Sequence, residues 1–223
     1  MTEAAMTPTG KYLYVDYQGR TLRLYNQRCR EWTQNYGYRG SDATLSSAGC
    51  GIFSVGNAVC FLNGLRVDAD SLAVFSMENG GRGDDGTDRP ALLAAMEEKG
   101  LAGRYGFSYR GDGLRNDLDT LYDHLLRGGA ALGNLRVGHI VALCLAREDR
   151  GEKQVLALDP YSETNHEKVT PFVREIIPES AVISAGRTES GLPVFYTLTY
   201  AMYWMPLSRV HDFNLLHPKE SRA

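Results

Sequence analysis

A cysteine, a histidine and an aspartate occur in this order at positions where the sequence pattern changes. Cys50 lies between two glycines in the sequence Ser-Ser-Ala-Gly-Cys-Gly-Ile, where an amphipathic helix is predicted to begin. The N-terminus of a helix carries roughly +0.5 charge, which favours a thiolate over a thiol. His139 opens one apolar segment, and Asp159 ends the next, directly before a proline. A thiol, a base and an acceptor that orients the base are the parts needed for nucleophilic catalysis.

Each of these residues also has a plain structural interpretation. For Cys50 this interpretation is a small buried residue at the start of a core helix. For His139 it is a core histidine with satisfied hydrogen bonds. Asp159, before a proline, is typical of a turn. Taken together, in this order and each at an element boundary, the three favour catalysis. We expect a turn within 148–153 to join two antiparallel strands and to place His139 beside Asp159.

The elements that must position these residues can be predicted from periodicity. Apolar residues between Ile52 and Leu62 recur on one face of a helix that stops at Asn63-Gly64. Three further helices are expected: one capped by Asp70, one capped by Asp88 with Pro90 in its first turn, and one over 114–125. Residues 11–25 are expected to form two short strands or a hairpin. Strands are also expected at 130–135, 139–146 and 154–158, and 194–205 is expected to form a strand or a bent pair of strands.

Helices and strands segregate along the chain, which indicates an α+β fold and argues against a doubly wound sheet. We expect a single domain over 1–223. Residues 1–129 form a mostly helical half with N-terminal strands, 130–207 form a β-rich half, and 208–223 form a polar, peripheral tail.

The composition excludes several classes of protein. The 223 residues include 24 Lys and Arg against 27 Asp and Glu, and a net charge of -3 offers no general attraction to nucleic acid or anionic membranes. We find no apolar run long enough to span a membrane. The four cysteines form no Cys-x-x-Cys pair, so we expect no disulfide scaffold, metal site or cofactor. Residues 1–10 lack the apolar segment of a secretory signal, and the cellular location stays open, with the cytoplasm favoured.

Four short segments together resemble the peptidase C39-like, papain-like cysteine proteins over about residues 25 to 162. They are Gln27 with Trp32 and Tyr36-Gly37, then Ser47-Ala48-Gly49-Cys50-Gly51, then Gly138-His139-Ile140-Val141-Ala142-Leu143, then Leu158-Asp159-Pro160. The resemblance implies that Cys50 is the nucleophile, His139 the base and Asp159 its orienting partner. It implies that Gln27, 23 residues before Cys50, donates to the oxyanion. It also implies a central helix carrying the cysteine and packed against an antiparallel sheet.

These observations predict a thiol hydrolase, a cysteine peptidase or amidase, that cleaves a peptide or amide substrate without a cofactor. The same residues would serve an acyl or γ-glutamyl transferase, and a catalytically silent peptide-binding module is a further alternative. Gln34 is a second candidate for the oxyanion donor. Cys29, next to arginines, is a rival nucleophile. Family members that cleave double-glycine leader peptides are usually fused to transporter segments, which this chain lacks, and residues after about 175 lie outside the resemblance.

The remaining motifs are interpreted structurally. Gly81–Gly86 matches G-x-G-x-x-G but follows a predicted helix, whereas a dinucleotide site requires a strand there, so we interpret it as a flexible loop, with a solvated connection and a lid near the site as the two alternatives. His124 is expected to be exposed, like the other histidines outside the site. The remaining cysteines are expected to be inert core thiols, and the aromatic residues around Tyr203 are expected to fill a strand core. The other histidines are His166, His211 and His217. The remaining cysteines are Cys60 and Cys144. The aromatic residues are Tyr196, Tyr200, Tyr203 and Trp204.

Overall fold

A computed structural model describes residues 10–27, 29–135, 138–161 and 202–219 of the chain. It begins with the predicted hairpin, in which strand β1 (Tyr12–Tyr17) pairs antiparallel with β2 (Arg20–Tyr25). Alternate apolar side chains of both strands are buried in the core. The turn at Gln18-Gly19 has positive φ at both positions, a conformation that tight hairpin turns favour.

Six helices lie between residues 45 and 126 of the described chain. They are α1 (Leu45–Ala48), α2 (Cys50–Asn63), α3 (Ala69–Glu78), α4 (Arg89–Glu98), α5 (Leu101–Arg104) and α6 (Leu118–Leu126). Helix α2 is the central one, because every residue from Gly51 to Phe61 is buried. It stops where Gly64 takes a positive φ of 71°, which confirms the predicted end of this helix.

The remaining strands form one small hairpin and one large sheet. They are β3 (Arg82–Gly83), β4 (Gly86–Thr87), β5 (Phe107–Ser108), β6 (Ala130–Leu135), β7 (His139–Asp149), β8 (Glu152–Leu158), β9 (Met202–Pro206) and β10 (Val210–Pro218). β3 pairs with β4, and the other six form a sheet in the order β5-β10-β6-β7-β8-β9, with antiparallel pairing throughout. One face of this sheet packs on α2 and the other on α6. The protein is therefore of the α+β class, as the sequence predicts.

The prediction of a peripheral tail is wrong for residues 210–218. This stretch is β10, which lies inside the sheet between β5 and β6. Its side chains from Phe213 to Leu216 are buried in succession. An internal strand is covered on both faces, so it need not show the apolar-polar alternation that marks a half-exposed strand. The polar residues within the segment hide it further.

Several predicted boundaries need correction. The second helix is capped by Asp68, whose carboxylate accepts the N–H of Ser71, and Asp70 lies in its first turn. Asp88 caps α4 as predicted. Helix α6 begins at Leu118, and Leu114 is exposed in the preceding loop. Of the strand predicted over 194–205, residues 194–201 lie outside the described residues, as does His166.

Candidate active site

Cys50 is the first residue of α2 and is partly buried. The short helix α1 leads into it, and Gly49 joins the two helices. The two glycines that flank Cys50 have a packing role in the structure. A Cβ on Gly51 would lie 2.5 Å from Thr87, and one on Gly49 would lie 2.5 Å from the Leu45 carbonyl oxygen. The chain around Cys50 therefore needs glycine on both sides to pack at all.

His139 is the first residue of β7, and its side chain is buried. Gly138 precedes it with a positive φ of 76°, and its N–H donates to the Leu135 carbonyl at 2.8 Å in the turn from β6. One helical turn after Cys50, the Ser54 hydroxyl donates to the Ile140 carbonyl at 2.9 Å. This contact fixes the start of α2 against the start of β7. As a result the Cys50 thiol comes within hydrogen-bonding reach of His139 and of the Ile140 N–H.

Asp159 follows the last residue of β8 and has no exposed surface. Its Oδ1 accepts the Nε2–H of His139 at 2.7 Å. Ala142 pairs with Leu158 in the ladder, and continuing this register makes His139 a diagonal neighbour of Asp159 rather than its direct partner. Since Nε2 is bound to Asp159, Nδ1 is the ring nitrogen available to Cys50. The structure thus brings together the three residues that the sequence singles out.

The charges of the three groups are coupled. Burial alone would raise the pKa of the Cys50 thiol, but the hydrogen bond and charge of His139, with backbone N–H groups of Ile140 and Gly51, lower it. Burial alone would lower the pKa of His139, but the charge and hydrogen bond of Asp159, with those of Cys50, raise it to about 10. Both shifts favour a thiolate paired with an imidazolium.

Two tyrosines that sequence reasoning did not assign to the site contact it. The Tyr203 hydroxyl on β9 donates to Oδ2 of Asp159 at 2.8 Å, and Tyr203 is fully buried. The ring of Tyr161 meets the His139 ring edge-on, with centroids 5.7 Å apart, and its backbone N–H donates to Oδ1 of Asp159 at 2.8 Å. A buried tyrosine hydroxyl needs a hydrogen-bond partner, and this requirement is the signal that could have pointed to Tyr203.

Gln27 lies beside the same residues and is buried. Its backbone N–H donates to the Pro160 carbonyl at 2.8 Å, next to Asp159, and its side-chain Nε2 donates to the Ser46 carbonyl at 3.3 Å, within α1. Among the described residues its Oε1 has no hydrogen-bond partner. One N–H of the side-chain amide is thus used by the Ser46 carbonyl.

The rival candidates are less well placed. Gln34 donates its side-chain amide to the Asn35 carbonyl at 3.2 Å. Cys29, Cys60 and Cys144 are buried, whereas Cys50 is partly exposed. Burial also raises the pKa of the Cys144 thiol well above its usual value.

The Gly81–Gly86 segment leads into Thr87, which packs against Gly51 next to Cys50. It contains the β3–β4 hairpin, which follows α3, so the strand-then-helix context of a dinucleotide site is missing. Arg82 is buried inside the hairpin and donates to the carbonyls of Tyr36 and Gly86, each at 2.8 Å. Thr87 lies against Gly51 and shares a hydrogen bond of 3.0 Å with the Tyr36 hydroxyl. The hairpin is thus anchored from inside, next to the residue that follows Cys50.

Across residues 10–27, 29–135, 138–161 and 202–219, no helix has the length and apolar character needed to cross a membrane. The same residues contain no group of three or more His, Cys, Asp or Glu side chains arranged to hold a metal ion.

The fold and the site define an α+β protein with a partly buried cysteine next to a buried, hydrogen-bonded pair of histidine and aspartate side chains. Comparison with known proteins adds no relative, since no family model, curated protein or solved structure matches the chain.

Proposed function

We propose that this protein is a thiol-dependent hydrolase of papain-like, peptidase C39-like type that cleaves a peptide or amide bond. The observation that carries the proposal is the chain of contacts from Cys50 to His139 to Asp159. The last contact is a 2.7 Å hydrogen bond between two buried side chains, and the first begins at a helix N-terminus. A cysteine beside an imidazolium and a helix start has the two features that stabilise a nucleophilic thiolate.

In the proposed reaction His139 holds the proton of Cys50 before the substrate binds. The thiolate of Cys50 attacks the substrate carbonyl carbon, and the carbonyl oxygen takes up the negative charge. The imidazolium then protonates the leaving amine as the carbon–nitrogen bond breaks, which leaves an acyl-enzyme. Water, deprotonated by His139, attacks the thioester, and the thiolate leaves and restores the ion pair. Asp159 keeps its Oδ1 on Nε2–H throughout and so holds Nδ1 toward Cys50.

Gln27 is the proposed side-chain donor to the oxyanion, together with the backbone N–H of Cys50. Its support is the buried position of Gln27, whose backbone N–H donates to the Pro160 carbonyl next to Asp159 and whose side-chain amide donates to the Ser46 carbonyl. A preorganised donor of this kind stabilises charge that develops only during the reaction.

The test is the pH dependence of iodoacetamide alkylation, read by mass spectrometry at each of the four cysteines in the parent and in His139→Ala. We expect Cys50 to react fastest and to remain reactive near pH 6, where an ordinary thiol is almost wholly protonated. We expect His139→Ala to abolish that reactivity. Buried Cys60 in the same sample serves as an internal control for unfolding. Equal and slow reaction of Cys50 in both proteins would refute the ion pair.

Hydrolysis itself is tested with an internally quenched peptide library, comparing the parent with Cys50→Ala. The expected result is cleavage by the parent alone, with a thioester at Cys50 trapped at low pH. Turnover that rises when an amine or thiol acceptor is added would assign the same site to a transferase. A reactive Cys50 with neither cleavage nor acyl transfer would favour a peptide-binding module.

A further inference from the structure

Only one of the two carboxylate oxygens of Asp159 reaches His139. Oδ1 accepts the Nε2–H of His139 at 2.7 Å and the backbone N–H of Tyr161 at 2.8 Å. Oδ2 accepts the hydroxyl of Tyr203 at 2.8 Å. Asp159 and Tyr203 both have 0% exposed surface, so this third hydrogen bond is shielded from solvent.

We propose that Tyr203 is a positioning residue for catalysis, whose hydroxyl holds the Asp159 carboxylate in the orientation that meets His139. The inference rests on the proposed function, because it gives Tyr203 a part in the same machinery. Tyr203 does not touch the thiol in this scheme, and it acts through Asp159 alone.

The sheet register explains why Tyr203 is the residue that reaches Asp159. Tyr203 pairs with Ala157 across the β8–β9 ladder. Asp159 is the next residue on the same side of β8, so the two are diagonal neighbours, within reach of an aromatic side chain. His139 is the other diagonal neighbour of Asp159, from β7. The carboxylate thus accepts hydrogen bonds from side chains of β7 and β9. It also accepts the backbone N–H of Tyr161, two residues further along the chain.

The energetic argument concerns a buried negative charge. A carboxylate removed from water is unfavourable unless its oxygens accept hydrogen bonds, and donors to the ionised form favour that form. Without the hydroxyl, Oδ2 would be buried with no other donor among the described residues. The carboxylate would then rotate to share a remaining donor, which turns its negative charge away from the Nε2–H of His139.

When the Asp159 carboxylate turns away from Nε2–H, the imidazolium of His139 becomes less stable, so His139 should lose its proton at lower pH. The titratable groups that face the His139–Asp159 pair are Cys50 from α2, Tyr161 after β8 and Tyr203 from β9. Burial and the nearby charge of Asp159 raise the pKa of the Tyr203 hydroxyl well above 10, so it remains a donor across the range to be tested.

The experiment compares Tyr203→Phe with the parent, using two alkylating probes at Cys50. Iodoacetate is an anion that the imidazolium attracts, whereas iodoacetamide is neutral, so the ratio of their rate constants at Cys50 reports the protonation of His139. In the parent we expect this ratio to fall near pH 10, where His139 deprotonates. In Tyr203→Phe we expect the fall to move to lower pH by about 0.5–1 unit.

Tyr25→Phe is the matched control. Tyr25 is equally buried, and its hydroxyl donates to the Val67 carbonyl, so its removal also deletes one buried hydrogen bond. It should leave the midpoint of the ratio unchanged. If Tyr203→Phe does not unfold cooperatively, Tyr203→Met replaces it, since methionine also fills the space without a donor.

A double variant tests whether Tyr203 acts through Asp159. In an Asp159→Asn background there is no charge to stabilise, so adding Tyr203→Phe should shift the midpoint by much less than it does in the parent. The same midpoint in Tyr203→Phe and parent, where the parent shows the His139-dependent ratio, overturns this inference and leaves the proposed function standing. A parent in which Cys50 reactivity does not depend on His139 overturns the proposed function itself.

Discussion

Two histidines of this protein are equally buried but differ in the charge of their partners. His139, at the start of β7, and His124, on α6, each have 7% of their surface exposed. The pKa of His139 is raised to about 10 because burial is outweighed by Asp159 and Cys50. The pKa of His124 is lowered, because burial dominates and its Nε2–H donates only to the neutral carbonyls of Ala130, at 3.1 Å, and Leu216, at 3.0 Å.

The charge of the hydrogen-bond partner, and not the degree of burial, therefore decides whether a buried histidine can carry a proton for catalysis. A raised pKa means that His139 stabilises the fold fully below its unfolded pKa of 6.5, and that this contribution is lost as pH rises toward about 10. A lowered pKa means the reverse for His124, whose contribution is present above pH 6.5 and is lost as pH falls. His124 holds elements together as a neutral ring.

The sharpest test of this comparison makes the same substitution at both histidines. We expect His139→Gln to lower kcat/KM on the best library substrate by about 10⁴-fold, because glutamine can bond Asp159 but cannot move a proton. His124→Gln keeps an N–H for the two carbonyls and should leave kcat/KM close to that of the parent. The reverse pattern, with the larger loss at His124, would break the comparison.

The next largest effect is expected at Gln27. Gln27→Ala should lower kcat by about 10²–10³-fold, because the oxyanion loses one preorganised donor. Alkylation of Cys50 by iodoacetamide should keep its rate, since displacement at the iodoacetamide carbon forms no oxyanion. A parallel loss of alkylation would assign Gln27 to positioning of the thiol instead.

Asn214→Ala is the control for that variant. Asn214 is a buried amide on β10, and its Oδ1, like the Oε1 of Gln27, has no hydrogen-bond partner among the described residues. Its Nδ2 donates to the Gly113 carbonyl at 2.6 Å, so we expect it to affect stability and not kcat. An equal loss of kcat in both variants would indicate a general loss of structure.

How much of the site could be predicted from the sequence depends on how far apart the contacting residues lie along the chain. Cys50, His139 and Asp159 were found because each lies at an element boundary that local periodicity marks. The contact of His139 with Asp159 needs only two strands joined by a turn. Tyr203 was interpreted as strand core, which its burial confirms, but the target of its hydroxyl depends on a pairing with β8 across a long stretch of chain. The local sequence pattern does not specify how β8 pairs with such a distant strand.

The same reason explains the errors in the fold. His124 was predicted to be exposed because Asp123 lies next to it, whereas it is buried against β6 and β10. β10 itself was interpreted as a tail, so nothing in the sequence analysis could cover that side of α6. The imidazole also fits only because residue 129 is glycine, where a Cβ would lie 2.1 Å from the His124 ring. One missed internal strand thus accounts for both mistakes.

The smallest expected effect concerns stability and comes from His124. Because its neutral form is favoured in the fold, the stabilising contribution of His124 should decline as pH falls from 7.5 to 5.5. His217 meets it edge-on, with ring centroids 4.8 Å apart, and the pKa of His217 is also lowered, by burial and by His124. Against His124→Gln, the free energy of unfolding of the parent should therefore fall by about 1 kcal/mol more over this range. Urea unfolding at several pH values measures it, with Leu126→Gln, an exposed change on the same helix, giving a difference that does not vary with pH. If instead the parent becomes more stable relative to His124→Gln as pH falls, the fold stabilises His124 as a cation, as it does His139. The contrast between the two histidines would then be wrong.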